Sequence, residues 1–249
     1  MTSSRLQRYQ KNIRDTYRYE GLFFLMWRIL TWCLAPLGFL SVVWLCKMDL
    51  REPLEDIEKK IPVEVVLATE ADLEAIAAMV SRRQGLTQSG SGWYRKLGIR
   101  ETIIERFHQG AWCFLGKVDQ EVVHFNWIFF DRAKPISPAG RYIYLKADEA
   151  MCNDGFTEEV WRGKSVHRIV NHEMLRFLKV TGYRTAFTAV GADSLVSQKA
   201  LRRNGWEFSS LMLCIIPRGS SKEWIWQFDG FLKKTIAFLS SIHQHGIPR

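Results

Sequence analysis

The sequence has no C-x-x-C pair, no G-x-x-x-x-G-K-[ST] loop and no H-E-x-x-H. Those absences remove a zinc ribbon, a Walker-type nucleotide loop and a zincin-like metal site, and no metal is expected. Cysteine is scarce and odd in number: Cys33, Cys46, Cys113, Cys152 and Cys214. A disulfide framework is therefore not expected, and a reducing compartment is the simplest reading. Glycine (17) and proline (7) are too few for a collagenous or low-complexity chain. Acidic residues are the scarcer charge, 26 against 35 basic, for a net +9. That balance invites an anionic partner: a membrane surface, nucleic acid or a phosphorylated cofactor. The 47% apolar content excludes wholesale disorder. A length of 249 residues suits one domain of about 150–200 residues with extensions.

The positive charge is spread unevenly. Residues 1–60, 61–217 and 218–249 each carry net +3, so the two ends hold two thirds of it in far fewer residues. The ends also hold Trp27, Trp32, Trp44, Trp224 and Trp226. Basic residues beside Trp in apolar runs are a membrane-interface composition. Arg5, Arg8, Lys11, Arg14 and Arg18 precede an apolar run from Gly21 to Cys46, broken only by Arg28. Ile29–Cys46 is uncharged, at the threshold for a membrane span. Pro36 and Gly38 interrupt it. A cleaved signal peptide is disfavoured because no small-residue cleavage site follows. A single span, an interfacial or re-entrant helical pair turning at Pro36–Gly38, and a buried helix stay open; the helical pair is preferred. At the other end, Trp224, Phe228, Phe231, Leu232, Ile236, Leu239 and Ile242 recur at helical steps, which predicts an amphipathic C-terminal helix.

Between the ends, the pattern predicts a strand at Val63–Leu67, then a helix opened by the capping-box-like Thr69-Glu70-Ala71-Asp72. Gln88–Trp93 reads as a loop. A helix is expected at Ile99–Phe107, with Ile103, Ile104 and Phe107 inward, and a hairpin at Ala111–Val118 and Glu121–Phe130. Ala133–Gly140 reads as a loop. Strands follow at Tyr142–Lys146 and Ala150–Thr157, a helix at Ser165–Thr181, a strand at Thr185–Val190, a helix at Ser194–Asn204 and a strand at Leu211–Ile216. The order implies an α/β fold around a mixed, mostly antiparallel sheet flanked by helices. The domain reading is a basic, apolar extension at 1–60, a main domain at 61–217 and a terminal helix at 218–249.

The chemically informative stretch feeds a strand through Thr157 and a basic turn, Arg162-Gly163-Lys164, into a helix beginning Ser165-Val166-His167. Free N–H groups and the helix dipole make an anion site at such a start, and Gly163 lets the backbone approach closely. A solvated basic helix start is the plain alternative. His172-Glu173 lacks the spacing of a metal pair, and Cys152 reads as a buried hydrophobe. The candidate proton acceptors are Asp154, Glu149 and His124; for each, a structural role is the competing reading.

This stretch, with Ser194-x-x-Ser197 and Gly205-Trp206 about 30 residues on, resembles the acyl-CoA-binding half of the GNAT acyltransferase superfamily over residues 61–217. The resemblance implies an acyl-CoA donor, acetyl-CoA or a longer acyl chain. Its pyrophosphate would rest on Thr157, Arg162, Gly163, Lys164, Ser165, Val166 and His167, with Ser194 and Ser197 contributing. An amine would attack the thioester directly between two parting strands. Ser165 and His167 stand where the family has small residues, Ser194 replaces an Asn, and Leu201 replaces the Tyr that acts as an acid toward the thiolate. The function expected is therefore an acyl-CoA-dependent N-acyltransferase at the cytoplasmic face of the cell membrane. Its acceptor would be a small-molecule or lipid-linked amine, such as an amino sugar. A non-catalytic acyl-CoA-binding or scaffold module is the alternative. Nucleic acid is not an expected partner, because the basic residues form no recognisable motif. Oligomeric state is not legible.

Overall fold

The computed structural model describes residues 26, 29–30, 33–34, 36–58, 61–86, 98–133, 142–218 and 222–229. The chain forms two compact units: Lys47–Ala189, and Met1–Cys46 together with Val190–Arg249.

In Lys47–Ala189 the strands lie in the order β8-β7-β4-β3-β2. They are β2 (Glu64–Leu67), β3 (Trp112–Val118), β4 (Glu121–Phe129), β7 (Glu149–Thr157) and β8 (Thr185–Gly191, whose last two residues belong to the other unit). Two short strands, β5 (Arg132–Ala133) and β6 (Ile143–Tyr144), pair separately. All pairs are antiparallel except β7 with β8, giving the expected mixed, mostly antiparallel sheet. The hairpin turns at Asp119-Gln120, both at positive φ, as a tight two-residue connection requires.

Alternation sorts the side chains to two faces. Leu115, Phe125, Trp127 and Phe156 pack with Ile76, Met79 and Val80 of α1 (Leu73–Leu86) and Ile103 of α2 (Ile99–His108). The turn before α1 closes as anticipated, with the Thr69 N–H donating to the Asp72 carboxylate at 3.0 Å. In α2 the inward residues are Thr102, Ile103 and Arg106, while Ile104 is exposed, so the helix is rotated from the expected face. On the opposite sheet face lies α3 (Val166–Val180), burying Val166, Ile169, Val170, Met174 and Leu178. Its approach needs Gly116: a Cβ there would sit 2.8 Å from Val170 Cγ2. Each large side chain buried in these layers contributes about 1.5–3 kcal/mol.

The second unit holds β1 (Gly38–Asp49, its end passing into the first unit), β9 (Glu207–Pro217) and β10 (Trp224–Asp229), with α4 (Leu195–Arg203). Strand order here is β10-β9-β1. Residues 26, 29–30 and 33–34 are helical and the chain turns at Pro36-Leu37, as the first half of the expected helical pair requires; the helical reading is corrected beyond that turn and at residues 224–229. Residues 38–46 are a strand, entered by a turn at Pro36-Leu37 in which the Leu37 N–H donates to the Leu34 carbonyl at 2.9 Å. A Cβ on Gly38 would collide with the Ile216 carbonyl, so the chain enters the sheet there through a glycine. Residues 224–229 are likewise a strand, paired residue for residue with Ser210–Ile215. Val, Ile and aromatic residues favour an extended, cross-strand-packed backbone in both segments. Among the described residues no helix is long and apolar enough to cross a membrane. The rest of the expected C-terminal helix, the Gln88–Trp93 loop, most of the Ala133–Gly140 loop and the basic residues before Met26 lie outside the described residues.

Candidate active site

The parallel ladder joins Glu149 to Thr185, Ala150 to Ala186 and Met151 to Phe187, and ends there. β7 continues to Thr157 with no further rung to β8 among the described residues. The parallel β7–β8 pair therefore parts at its C-terminal end. Strand ends of this kind in α/β sheets are where ligands bind.

Beyond Thr157 the chain makes a 3-10 turn, Glu159–Trp161, and then reaches α3 through Arg162–Ser165. Gly163 (φ 78°) and Ser165 (φ 64°) both adopt left-handed backbone, which turns successive N–H groups toward one side. Ser165 takes this conformation without glycine, at a cost of about 1–2 kcal/mol. The first helical bond is Ile169 N–H to the Ser165 carbonyl at 3.0 Å. Among the described residues no carbonyl accepts from the N–H groups of Val166, His167 or Arg168. Arg162 donates from Nε to the Thr157 carbonyl at 3.2 Å, with its guanidinium 5.6 Å from the Phe156 ring centre. Lys164 places Nζ 4.4 Å from the Trp161 ring centre. Two cations are thus anchored around a turn of unfilled donors, a chemistry suited to a phosphate or pyrophosphate.

His124 on β4 lies opposite Thr157, and its Nδ1 shares a 2.7 Å hydrogen bond with Thr157 Oγ1, the donor being set by the imidazole tautomer. The His167 ring meets it edge to face at 5.4 Å. Burial, then the neighbouring His167, holds His124 well below its ordinary pKa; burial lowers His167 too. Both are neutral at pH 7. His124 Nε2 is buried and accepts no hydrogen bond among the described residues. Three sequence candidates, His124, Thr157 and His167, therefore form one cluster beside the basic turn.

The other two candidate bases are placed differently. Asp154 sits at φ 60° in a β-bulge, where Asp154 and Gly155 together face Asn126 of β4. Its carboxylate meets the Arg106 guanidinium at 2.7 Å, both side chains at or below 10% exposure. Arg106 also lies over Trp127, 5.0 Å from the ring centre. Glu149 begins β7, at the joined end of the parallel ladder, and accepts from the Lys146 N–H at 3.0 Å. Strand rise puts it roughly 26 Å from Thr157. Asp154 is thus paired with Arg106, and Glu149 is distant from the turn.

Ser194 and Ser197 belong to the other unit, at the start of α4, with their hydroxyls 2.9 Å apart. Leu201 of the same helix is buried. Cys152 is buried and its thiol is pushed up to about 12, an inert group. Glu158 holds Arg82 at 2.7 Å. Sequence reading missed Arg106, which α2 turns inward to Asp154. A charge on the inward stripe of α2 was the available signal for Arg106. Asn126 is buried with its side chain against Gly155, and Oδ1 has no hydrogen-bond partner among the described residues.

No protein-family profile matches the chain, and no curated protein matches it. Solved structures match the chain at low identity. A conserved protein of unknown function from Staphylococcus epidermidis is 11% identical, with TM-score 0.46, covering 74% of this chain and 64% of its own. A putative GNAT-family acetyltransferase from Novosphingobium aromaticivorans is 11% identical, with TM-score 0.48, covering 72% and 65%. An N-acetyltransferase from Staphylococcus aureus is 16% identical, with TM-score 0.48, covering 68% and 98%. The chain thus spans just under two thirds of the length of the first two proteins.

Proposed function

We propose that this protein is an acyl-CoA-dependent N-acyltransferase. The observation that carries the reading is the parting of β7 from β8 next to a helix start with open N–H groups and two anchored cations. A pyrophosphate fits that turn, and an extended pantetheine chain fits the opening between two diverging strands. In the reaction an amine nitrogen attacks the thioester carbonyl, the C–N bond forms, and the C–S bond breaks with departure of the CoA thiolate. In the tautomer whose Nδ1–H donates to Thr157 Oγ1, His124 Nε2 is a neutral acceptor in this cluster, and the amine proton passes to it directly or through water. Acetyl-CoA is the simplest donor, and the acceptor class is a small-molecule or lipid-linked amine such as an amino sugar. The need for CoA places the reaction in the cytoplasm.

One observation favours a second reading, an acyl-CoA-binding module without turnover. Leu201 is an apolar, buried residue where the resemblance expects a Tyr to protonate the leaving thiolate.

The test is calorimetric titration of the full chain with acetyl-CoA, paired with a thiol-release assay over an amine panel. Binding with thiol release supports the transferase; binding without release selects the module. Arg162→Glu should weaken acetyl-CoA binding at least about tenfold, since a cation on a pyrophosphate becomes an anion. Absence of binding by the wild-type chain, or unchanged affinity in Arg162→Glu, would overturn the reading.

A further inference from the structure

The β9–β10 hairpin presents one wholly apolar face. Directly opposed residues of an antiparallel pair share a face. The register sets Trp224 beside Ile215, Trp226 beside Leu213 and Phe228 beside Leu211. The alternate residues Met212 and Cys214 are buried on the other side. On the apolar side, Leu211, Leu213 and Ile215 are half-buried. Trp224, Trp226 and Phe228 stay 49%, 44% and 44% exposed. Six large apolar side chains thus adjoin one another, with three aromatic rings outermost. Such a patch on a soluble surface marks an interaction site.

Charge identifies the partner. The unit that carries this face, Met1–Cys46 with Val190–Arg249, holds 14 basic and 6 acidic residues. The unit Lys47–Ala189 holds 21 and 20. Of the chain's net +9, the sequence of this unit therefore accounts for +8. A second copy of the same unit would bring like charge to like charge. An anionic bilayer satisfies both features: its headgroups attract the cations, and its interfacial zone accepts Trp and Phe.

We infer that the Trp224–Trp226–Phe228 face of the β9–β10 hairpin is a docking surface for an anionic lipid bilayer, entering the headgroup region without crossing it. This differs from a helical anchor: the inserted element is an edge strand, and its depth is limited to the reach of three rings. The inference does not depend on acyl transfer, and CoA titration reports on that reading separately.

The experiment is flotation of the full chain with vesicles of phosphatidylcholine alone and of phosphatidylcholine with phosphatidylglycerol. The expected result is recovery with the anionic vesicles, loss of recovery at high salt, and little recovery with the neutral ones. The triple variant Trp224→Ser, Trp226→Ser and Phe228→Ser should bind anionic vesicles at least about tenfold more weakly. Because that variant removes much apolar surface, a conservative pair gives a second readout. Trp224→Phe with Trp226→Phe should still float, yet lose most of the tryptophan quenching produced by bromine-labelled acyl chains in the wild type. Wild-type protein that stays with neither vesicle type would overturn the inference. So would equal quenching in the conservative variant, or a wild-type dimer in solution that the triple variant abolishes, which would assign the face to a second copy.

Discussion

Replacing Asp154 with alanine strips the carboxylate from an Arg106 guanidinium that is only 7% exposed and lies over Trp127 and Phe129. The remaining cation is then buried without its counter-charge, a loss of about 3–5 kcal/mol. The left-handed backbone at 154 adds to it, because alanine tolerates φ 60° less well than aspartate. In a chain of this size each kcal/mol moves the melting temperature by about 2–4 °C, so a fall of roughly 6–20 °C is expected. Asp154→Asn keeps an acceptor oxygen and the tolerance of left-handed backbone, and should lose about 1–3 kcal/mol. Removing both charges with Arg106→Met and Asp154→Gly should be less damaging than Asp154→Ala alone, because no unpaired ion is left. Urea and thermal unfolding of the four proteins measure these differences, and the acyltransferase assay on folded Asp154→Asn separates structure from chemistry. Turnover within about threefold of wild type fits a structural carboxylate; a general base would lose about a hundredfold or more. A melting temperature for Asp154→Ala within about 2 °C of wild type would refute the buried-pair argument.

Two further outcomes are expected. Folded His124 and His167 take up protons below their ordinary pKa of 6.5, so between that value and their lowered ones the unfolded chain binds protons that the folded chain does not. Stability should therefore fall as pH drops below about 6.5, and His124→Gln should flatten the slope; a wild-type urea midpoint constant from pH 7.5 to 5.5 would contradict neutral, buried rings. For the thiols, Cys33 is exposed while Cys46, Cys113, Cys152 and Cys214 are buried, with burial raising Cys46 and Cys152 to about 12 and Cys214 to about 11. A chromogenic disulfide reagent should react promptly with one thiol in the native protein and with five after denaturation; a second fast native thiol would mean the buried set opens.

The middle of the chain was legible because its signals are local and agree with one another. The α3 stripe Val166, Ile169, Val170, Met174 is the buried face found, and the hairpin turned where Asp119-Gln120 allowed it. Arg162, Gly163, Thr157 and His167 were readable as neighbours for the same reason: a strand, a basic turn and a helix start are contiguous in sequence. Asp154 and Glu149 were chosen by their place on the strand, and a strand position does not reveal which carboxylate has a partner from elsewhere. Arg106 lies 48 positions before Asp154. The bulge that aims Asp154 at it arises where two residues of β7 meet one of β4, a property of the pair.

Residues 38–46 and 224–229 departed from the helical expectation for a different reason. Trp224 and Phe228 are four positions apart, a spacing that suits one face of a helix and equally one face of a strand. Trp226, between them, decides: in a helix it would lie on the far side, whereas in β10 it joins the other two in the exposed row. The same ambiguity hid β1, most of which lies in the uncharged Ile29–Cys46 run that met the threshold for a span, although Gly38 leads it into a sheet. An apolar run long enough to cross a bilayer is thus partly used inside the fold, in a strand that buries Val43, Leu45 and Cys46. Among the described residues this unit shows an exposed Trp224, Trp226 and Phe228 row, the feature from which docking on a membrane surface is inferred.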